Sequence, residues 1–200
     1  MVPVTTSVRR VRLSPDARRE QLLELGLKML ATRSLDELSV DDLAEEAGIS
    51  RGLLFHYFRN KQEFHLEVVR RAAKSLLERT EPDTSLHPLA RLAGSLAAYV
   101  DYVVENHQAY VSLVRGAASG NDDVREIFDA TRTTLTARIT DSLELTGLES
   151  SPATRLLARG WMAMTEEVVL AWVIEQQVGK DELLTMLTAA LPATLSVVKD

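Results

Sequence analysis

Residues 39–64, SVDDLAEEAGISRGLLFHYFRNKQEF, constrain this chain more than any other stretch. Ser39 is a good N-cap, and Asp42, three residues on, completes a capping-box-like start. Leu43, Ala44 and Ala47 give a first short helix its apolar face. Gly48 then falls where a helix stops in a left-handed residue, a conformation that glycine adopts cheaply. Ile49 plugs the turn and Ser50 caps a second short helix, with Leu54 and either Tyr57 or Phe58 facing inward. Asn60 and Glu63 form a further capping box, which opens a long helix. Ala44 is small because two helices crossing steeply over so short a turn leave no room for a longer side chain. This is the helix-turn-helix plan, whose second helix enters the major groove of DNA.

The same residues resemble the DNA-binding domain of the tetracycline-repressor (TetR) family of transcriptional regulators. The match runs over about residues 14–66. It rests on Leu43-Ala44, Ala47-Gly48-Ile49-Ser50, Gly52-Leu53-Leu54-Phe55, Tyr57-Phe58 and Asn60-Lys61. Three positions depart from the family pattern: Ser34 stands where glycine is usual, and Leu38 and Leu53 where threonine is usual. Leu53 removes a hydroxyl donor from the DNA-facing side.

The resemblance implies an all-α fold. An N-terminal three-helix helix-turn-helix DNA-binding domain would occupy residues 14–62, after a basic arm at 1–13. A C-terminal helical ligand-binding and dimerisation domain would occupy 63–200. The implied DNA-contacting set is Ser39, Val40, Ser50, Arg51, Gly52, Leu53, Phe55, His56, Tyr57 and Lys61. Within it, Arg51 has the fork that pairs guanine O6 and N7, or else contacts phosphate only. Gly52 lets backbone approach phosphates. Leu53 and Phe55 stand to touch thymine methyls, unless Phe55 is packed instead. Tyr57 and Lys61 match phosphate-contacting positions, which position the protein without specifying sequence. His56 matches an aromatic position beside the DNA backbone, or is a solvated histidine. Arg9, Arg10 and Arg12 would enter a minor groove, lie along phosphates, or do neither.

The net charge of −6 looks wrong for a DNA binder, but its distribution explains it. Residues 1–79 hold 14 Lys+Arg and 12 Asp+Glu, whereas 80–200 hold 9 and 17. Arg9, Arg10, Arg12, Arg51, Arg59 and Lys61 lie where phosphates would be, although a surplus this small is a modest signal by itself. The chain has no cysteine, so neither disulfides nor a thiolate metal site enter the reading. No apolar run approaches membrane-spanning length, and the first residues are not a signal peptide. The expectation is a soluble cytoplasmic protein.

The remainder reads as helix, with no period-two alternation and no Asn-Gly hairpin. Ser14-Pro15 opens a helix to about Arg33, with Leu22, Leu23, Leu27 and Leu30 on its apolar face. A long helix follows from Lys61 to about Thr80, and further helices from Pro88 to Glu105, His107 to Ala117 and Asp122 to Leu145. Ser151-Pro152 opens a helix to about Val178, which Gly179 breaks. The last runs from Lys180 to Val198, with Pro192 expected to kink or shorten it.

The helix at 151–178 carries two apolar stripes. One is Ala153, Leu157, Gly160, Met164, Val168 and Ala171; the other is Leu156, Ala163, Leu170 and Val173, flanked by Trp161 and Trp172. A helix apolar on more than one side must be covered on more than one side. The last helix has a similar wide stripe of Leu183, Leu187, Ala190, Leu191, Leu195 and Val198. The family resemblance implies a homodimer through these two helices. The periodicity alone shows excess apolar surface, which a thick monomer core would also absorb.

Ten residues are candidate lining for a small-molecule pocket: Tyr99, Tyr102, Val103, His107, Tyr110, Leu113, Trp161, Met162, Met164 and Glu166. The competing reading is plain core. An apolar lining suits a lipophilic or acyl-chain effector, whereas Glu166 would select a cation.

Enzymatic motifs are lacking. The four histidines, His56, His65, His87 and His107, include no i, i+4 pair, and no HExxH, GxSxG, P-loop or dinucleotide glycine pattern occurs. Glu166-Glu167 are sequence neighbours about 100° apart on a helix, so they do not make a glycosidase-like pair. No catalytic residue, metal site or cofactor is expected. The function implied is a sequence-specific regulator, a ligand-released repressor on a palindromic operator. The alternative is a small-molecule-binding helical protein or adaptor whose DNA motif serves no regulation.

Overall fold

The computed structural model describes residues 14–33, 35, 37–118, 121–147 and 149–198. The arginine arm at 9–12, Ser34, Ser119, Gly120 and the Val198 side chain lie outside the described residues. Within them the chain is helical: α1 Pro15–Leu30, α2 Val40–Glu46, α3 Arg51–Tyr57, α4 Lys61–Arg79, α5 Pro88–Glu105, α6 His107–Ala118, α7 Asp122–Glu144, α8 Pro152–Glu175 and α9 Lys180–Leu195, with a final 3₁₀ turn, Ser196–Val198.

Capping fixes most of these boundaries. Ser14, Ser39, Ser50, Asn60, Asn121 and Ser151 each accept a backbone N–H from the first turn of the helix they precede. Such a bond satisfies a donor that the helix itself cannot. Glu63 reaches back to the Arg59 N–H at 2.7 Å. At the end of α2, Gly48 takes φ +63° and Ile49 N–H donates to the Ala44 carbonyl at 2.9 Å, which closes the helix and aims α3.

Several expected ends shift. Helix α1 stops at Leu30 rather than Arg33. Helix α8 ends at Glu175, because Gln176 rather than Gly179 takes the left-handed conformation (φ 47°); Gly179 serves instead as the N-cap of α9. Helix α9 continues through Pro192 to Leu195. Pro192 is exposed near the end of the helix, and its neighbours Leu191 and Leu195 are buried, so packing holds the last turn.

The core has an N-terminal cluster, a C-terminal cluster and a small one between them. In the first, Leu22, Leu23 and Leu30 of α1 meet Leu43, Leu54, Phe58, Phe64 and Val68. Gly26 makes this packing possible, since a Cβ there would lie 2.8 Å from both Phe64 and Val68. Leu38, in place of the usual threonine, is fully buried in this cluster, and its carbonyl accepts from His65 Nε2 at 2.9 Å. The C-terminal cluster gathers α5, α7, α8 and α9 around Tyr99, Val100, Trp161 and Val169. Helix α4 runs through all three, from Phe64 and Val68 past Val69 and Ala73 to Leu76.

Helix α6 is the second bridge. Its Ala109 belongs to the N-terminal cluster, its Leu113 packs with Val69 and Ala73 of α4, and its Tyr110 lies in the C-terminal cluster. Ser112 Oγ accepts the Leu35 N–H at 3.2 Å.

Candidate functional site

Helix α3 turns one residue, Leu54, inward and five outward, and Phe58, its C-cap, also turns inward. Leu54 and Phe58 are buried, and Phe58 stacks edge-on against Phe64 with centroids 5.1 Å apart. Phe58, not Tyr57, is therefore the second inward position; Tyr57 is half-buried. Arg51, Gly52, Leu53, Phe55 and His56 form one exposed surface. Two large apolar side chains lie in it, Leu53 (40% exposed) and Phe55 (36%), where a solvated helix would carry polar ones.

Arg51 does not stand free. Its Nη1 lies 3.2 Å from Asp41 Oδ2 of α2, and its guanidinium sits over the Phe55 ring at 5.6 Å. Both partners are solvent-exposed, so the pair is worth at most about 1 kcal/mol and is readily exchanged for a phosphate or a base. A Cβ at Gly52 would meet no side chain nearer than Ser50 Oγ at 4.0 Å, so this surface is open to close approach. Lys61 is half-buried at the start of α4 and has no ion-pair partner among the described residues.

Three of the sequence-selected positions are occupied otherwise. Val40 is buried in the N-terminal cluster, because the first turn of α2 packs on α1; its side chain offers no surface to DNA. The Ser39 and Ser50 hydroxyls are engaged as caps, at 3.1 and 3.2 Å from the N–H groups of Asp42 and Leu53.

The ten candidate pocket residues divide. Tyr99, Trp161 and Met162 line a cavity of about 40 Å³ together with Leu92, Leu96, Leu135, Ile139 and several polar groups. Tyr110, Leu113, Met162 and Glu166 line a smaller adjoining one of about 10 Å³. The other four lie elsewhere. Tyr102 donates to the Ala72 carbonyl of α4 at 2.7 Å, and burial pushes its phenol up to about 12. Val103 is fully buried core. His107 lines neither cavity, and its Nε2 is buried without a hydrogen-bond partner. Met164 is 39% exposed on the outer side of α8, one residue out of phase with Trp161 and Thr165.

Glu166 is not free to select a cation. Its Oε1 lies 3.0 Å from Arg132 Nη2, and its Oε2 accepts from the Tyr110 hydroxyl at 3.1 Å. The Tyr110 hydroxyl is 2.7 Å from that of Tyr99, so one chain of contacts joins α5, α6, α8 and α7. Burial raises the Glu166 carboxyl above its ordinary value, against the opposing pull of Arg132 and Tyr110. Tyr99 and Tyr110 are both pushed up, by burial first of all. The sequence points to Tyr99, Tyr110 and Glu166 but not to Arg132, because an arginine in a threonine-rich helix reads as a solvated face.

The outer stripe of α8 remains uncovered. Leu156 (70% exposed), Gly160, Met164, Ala171 and Ile174 (73%) follow one another at three- and four-residue steps, interrupted by Glu167. On α9 and the 3₁₀ turn that follows it, Met186, Ala189, Ala193 and Val197 do the same.

Known proteins share this arrangement over both halves. Residues 22–68 match the model of bacterial regulatory proteins of the tetR family, and residues 88–193 match that of the tetracyclin repressor-like C-terminal domain. The chain belongs to the tetR family. It is similar to the HTH-type transcriptional repressor KstR2 of Mycolicibacterium smegmatis, with 34% identity over 121 residues, 60% of this chain and 58% of that protein. The chain thus spans a little over half the length of the curated repressors it matches. A tetR-family transcriptional regulator from Streptomyces coelicolor superposes with a TM-score of 0.83 at 30% identity, over 92% of this chain and 83% of that one. FadR from Bacillus subtilis, solved in complex with stearoyl-CoA, shares the fold at 17% identity and a TM-score of 0.67, over 88% of this chain and 97% of that one. Membership in a family of regulatory proteins argues against the enzymatic reading. Among the described residues, no helix is long and apolar enough to cross a membrane.

Proposed function

We propose that this chain is a sequence-specific DNA-binding regulator, a repressor that two copies bring to a palindromic operator and a small lipophilic ligand releases. The observation that carries the reading is the α3 surface. Arg51, Gly52, Leu53, Phe55 and His56 are exposed together on a helix that buried Leu54 and Phe58 hold rigidly in place. Arg51 reads a base edge, Leu53 and Phe55 meet thymine methyls, and Tyr57 and Lys61 hold phosphates. The likeness to a named repressor supports the negative sign of regulation.

The uncovered stripes of α8 and α9 support a homodimer, since apolar faces this long are normally buried against a partner. Two α3 helices about a two-fold axis then read half-sites about one helical turn apart. The apolar cavity supports an acyl-chain or comparable lipophilic effector, and one solved relative of the fold holds stearoyl-CoA. Helix α4 runs from the DNA-reading unit to the edge of this cavity and α6 to the smaller adjoining one, so a ligand that prefers a splayed dimer shifts the population away from the DNA-fitting one. The test is an electrophoretic mobility shift of the DNA upstream of the chain's own coding sequence. A regulator of this kind shifts it at lower concentration than random DNA, with steep salt dependence. Equal affinity for both would remove the proposal.

A further inference from the structure

The larger cavity contains polar groups that its apolar walls leave unused. It lies among the end of α4, α5, α7 and α8, and its hydrocarbon wall is Leu92, Leu96, Leu135, Ile139, Trp161 and Met162. Four of its polar side chains are committed elsewhere: Trp161 Nε1 donates to the Leu187 carbonyl at 3.0 Å, the Tyr99 hydroxyl pairs with Tyr110, and Thr80 Oγ1 and Ser142 Oγ each donate at 2.8 Å to a carbonyl one turn back, those of Leu76 and Arg138. Three are available. Ser95 Oγ on α5 and Thr165 Oγ1 on α8 are buried with no hydrogen-bond partner, and Thr165 is wholly shielded from solvent. Arg138 of α7 also lines the cavity. It donates to the Leu77 carbonyl at 2.8 Å and to Thr80 Oγ1 at 3.1 Å, both neutral, and no carboxylate pairs with it among the described residues. A half-buried guanidinium against a hydrocarbon wall and two orphaned hydroxyls are all unfavourable in the free protein, and an anionic oxygen ligand would satisfy them together.

We propose that this cavity takes a lipophilic carboxylic acid in its free, ionised form. The proposal rests on the reading of the C-terminal unit as the effector domain and names the ligand class. The hydrocarbon lies along Leu96, Leu135, Ile139 and Met162. The carboxylate accepts from the Arg138 guanidinium, and the Ser95 and Thr165 hydroxyls donate to ligand oxygen. The cavity, about 40 Å³, has room for a few waters only. Entry therefore swings a wall aside, and Met162, unbranched and adaptable, is the side chain best able to move. Met162 also lines the adjoining cavity with Tyr110 and Glu166, so its displacement presses on the contact that anchors α6. Specificity is then for the free acid over the alcohol, which lacks the charge, and over the coenzyme A thioester, which lacks the free carboxylate.

The experiment is calorimetric titration of the full-length protein at neutral pH. The probes are medium- to long-chain fatty acids, dodecanoate among them, with the matching primary alcohols and dodecanoyl-CoA. The acid should bind roughly tenfold or more tighter than the alcohol of equal length. Arg138→Met should abolish that preference while leaving alcohol binding unchanged, and Arg138→Lys should keep part of it. Thr165→Val should weaken acid binding without lowering the melting temperature of the free protein. Three results overturn the proposal: acid and alcohol binding alike, the thioester binding more tightly than the acid, or no member of the series binding, which would leave a cavity that holds only water. A DNA titration with saturating acid separates the two readings. If the acid binds but DNA is retained, the site stands and the effector reading fails. If no acid binds but the upstream DNA is still recognised, this proposal fails and the regulator stands.

Discussion

The Tyr110 hydroxyl lies 2.7 Å from that of Tyr99 and donates to Glu166, so Tyr99 must be the donor in the tyrosine pair. This direction ties α5 to α6 and α6 to α8 in one sequence of donors that ends on a carboxylate paired with Arg132. Tyr110→Phe cuts the sequence in the middle while keeping the ring. It should cost about 1–3 kcal/mol in urea unfolding, because a buried hydroxyl and a carboxylate oxygen each lose a partner. DNA affinity without ligand should change little, but release by a bound ligand should weaken. Unchanged release would mean that α6 is moved by packing alone.

Glu166 sets a pH dependence whose sign is opposite to that of an ordinary ion-paired carboxylate. Its pKa is raised by burial, so the folded protein holds this proton more tightly than the unfolded chain. The stability it contributes is fully present below the ordinary carboxylate value of 4.5 and is lost as pH rises through the raised value. Glu166→Gln removes that loss. The melting temperature of the variant, relative to the unaltered protein, should therefore become more favourable between pH 4.5 and neutrality. A difference that stays flat over this interval would show that Arg132 fully offsets burial.

Asp41 competes for the arginine that should meet DNA. Asp41→Asn frees Arg51 and removes a negative charge from the face expected to meet phosphates. It should tighten DNA binding and leave stability within about 0.5 kcal/mol, as for most exposed pairs. Arg51→Ala should cost about 1–3 kcal/mol on the preferred sequence and relax preference at one position per half-site, whereas Lys61→Ala should weaken all sequences alike. Anisotropy titrations with specific and scrambled duplexes distinguish the two. Equal losses on both duplexes for Arg51→Ala would make it a phosphate contact only.

Two glycines in the N-terminal unit should fail differently. Gly26→Ala places a methyl 2.8 Å from Phe64 and Val68, and overpacking of this kind costs about 1–3 kcal/mol. Gly48→Ala meets no neighbour, but its φ of +63° costs about 1–2 kcal/mol in a side-chain-bearing residue. Chemical denaturation reads both. A Gly48→Ala variant as stable as the parent would mean that the turn relaxes to another conformation.

The N-terminal unit was legible because each of its turns is governed by local chemistry. Ser39, Gly48, Ser50 and Asn60 act within three or four residues of themselves, so their spacing alone fixes α2, α3 and the start of α4. Where tertiary packing decides, local spacing is not enough. Val40 sits at a position expected to face DNA, yet the approach of α1 buries it. Met164 and Thr165 are adjacent in sequence, and hydropathy favours Met164 as the inward one. The packing of α8 on α7 and α9 instead buries Thr165 and exposes Met164. Arg138 stayed hidden for the same reason: its acceptors, Leu77 and Thr80, are about sixty residues away in the chain.

The most direct test of the account joins assembly to recognition. Leu156 is the residue for it, 70% exposed on the outer stripe of α8 and remote from α3. Burying one such side chain contributes about 1.5–3 kcal/mol, twice over in a symmetric contact, and a charge there reverses the gain. Light scattering and a salt titration on upstream DNA should be run together on the parent and on Leu156→Glu. The parent should have twice the chain mass and bind the upstream site steeply and specifically. The variant should be a folded monomer whose specific binding has collapsed towards its affinity for random DNA. A parent that is monomeric, or a monomeric variant that retains full specific affinity, would contradict the account.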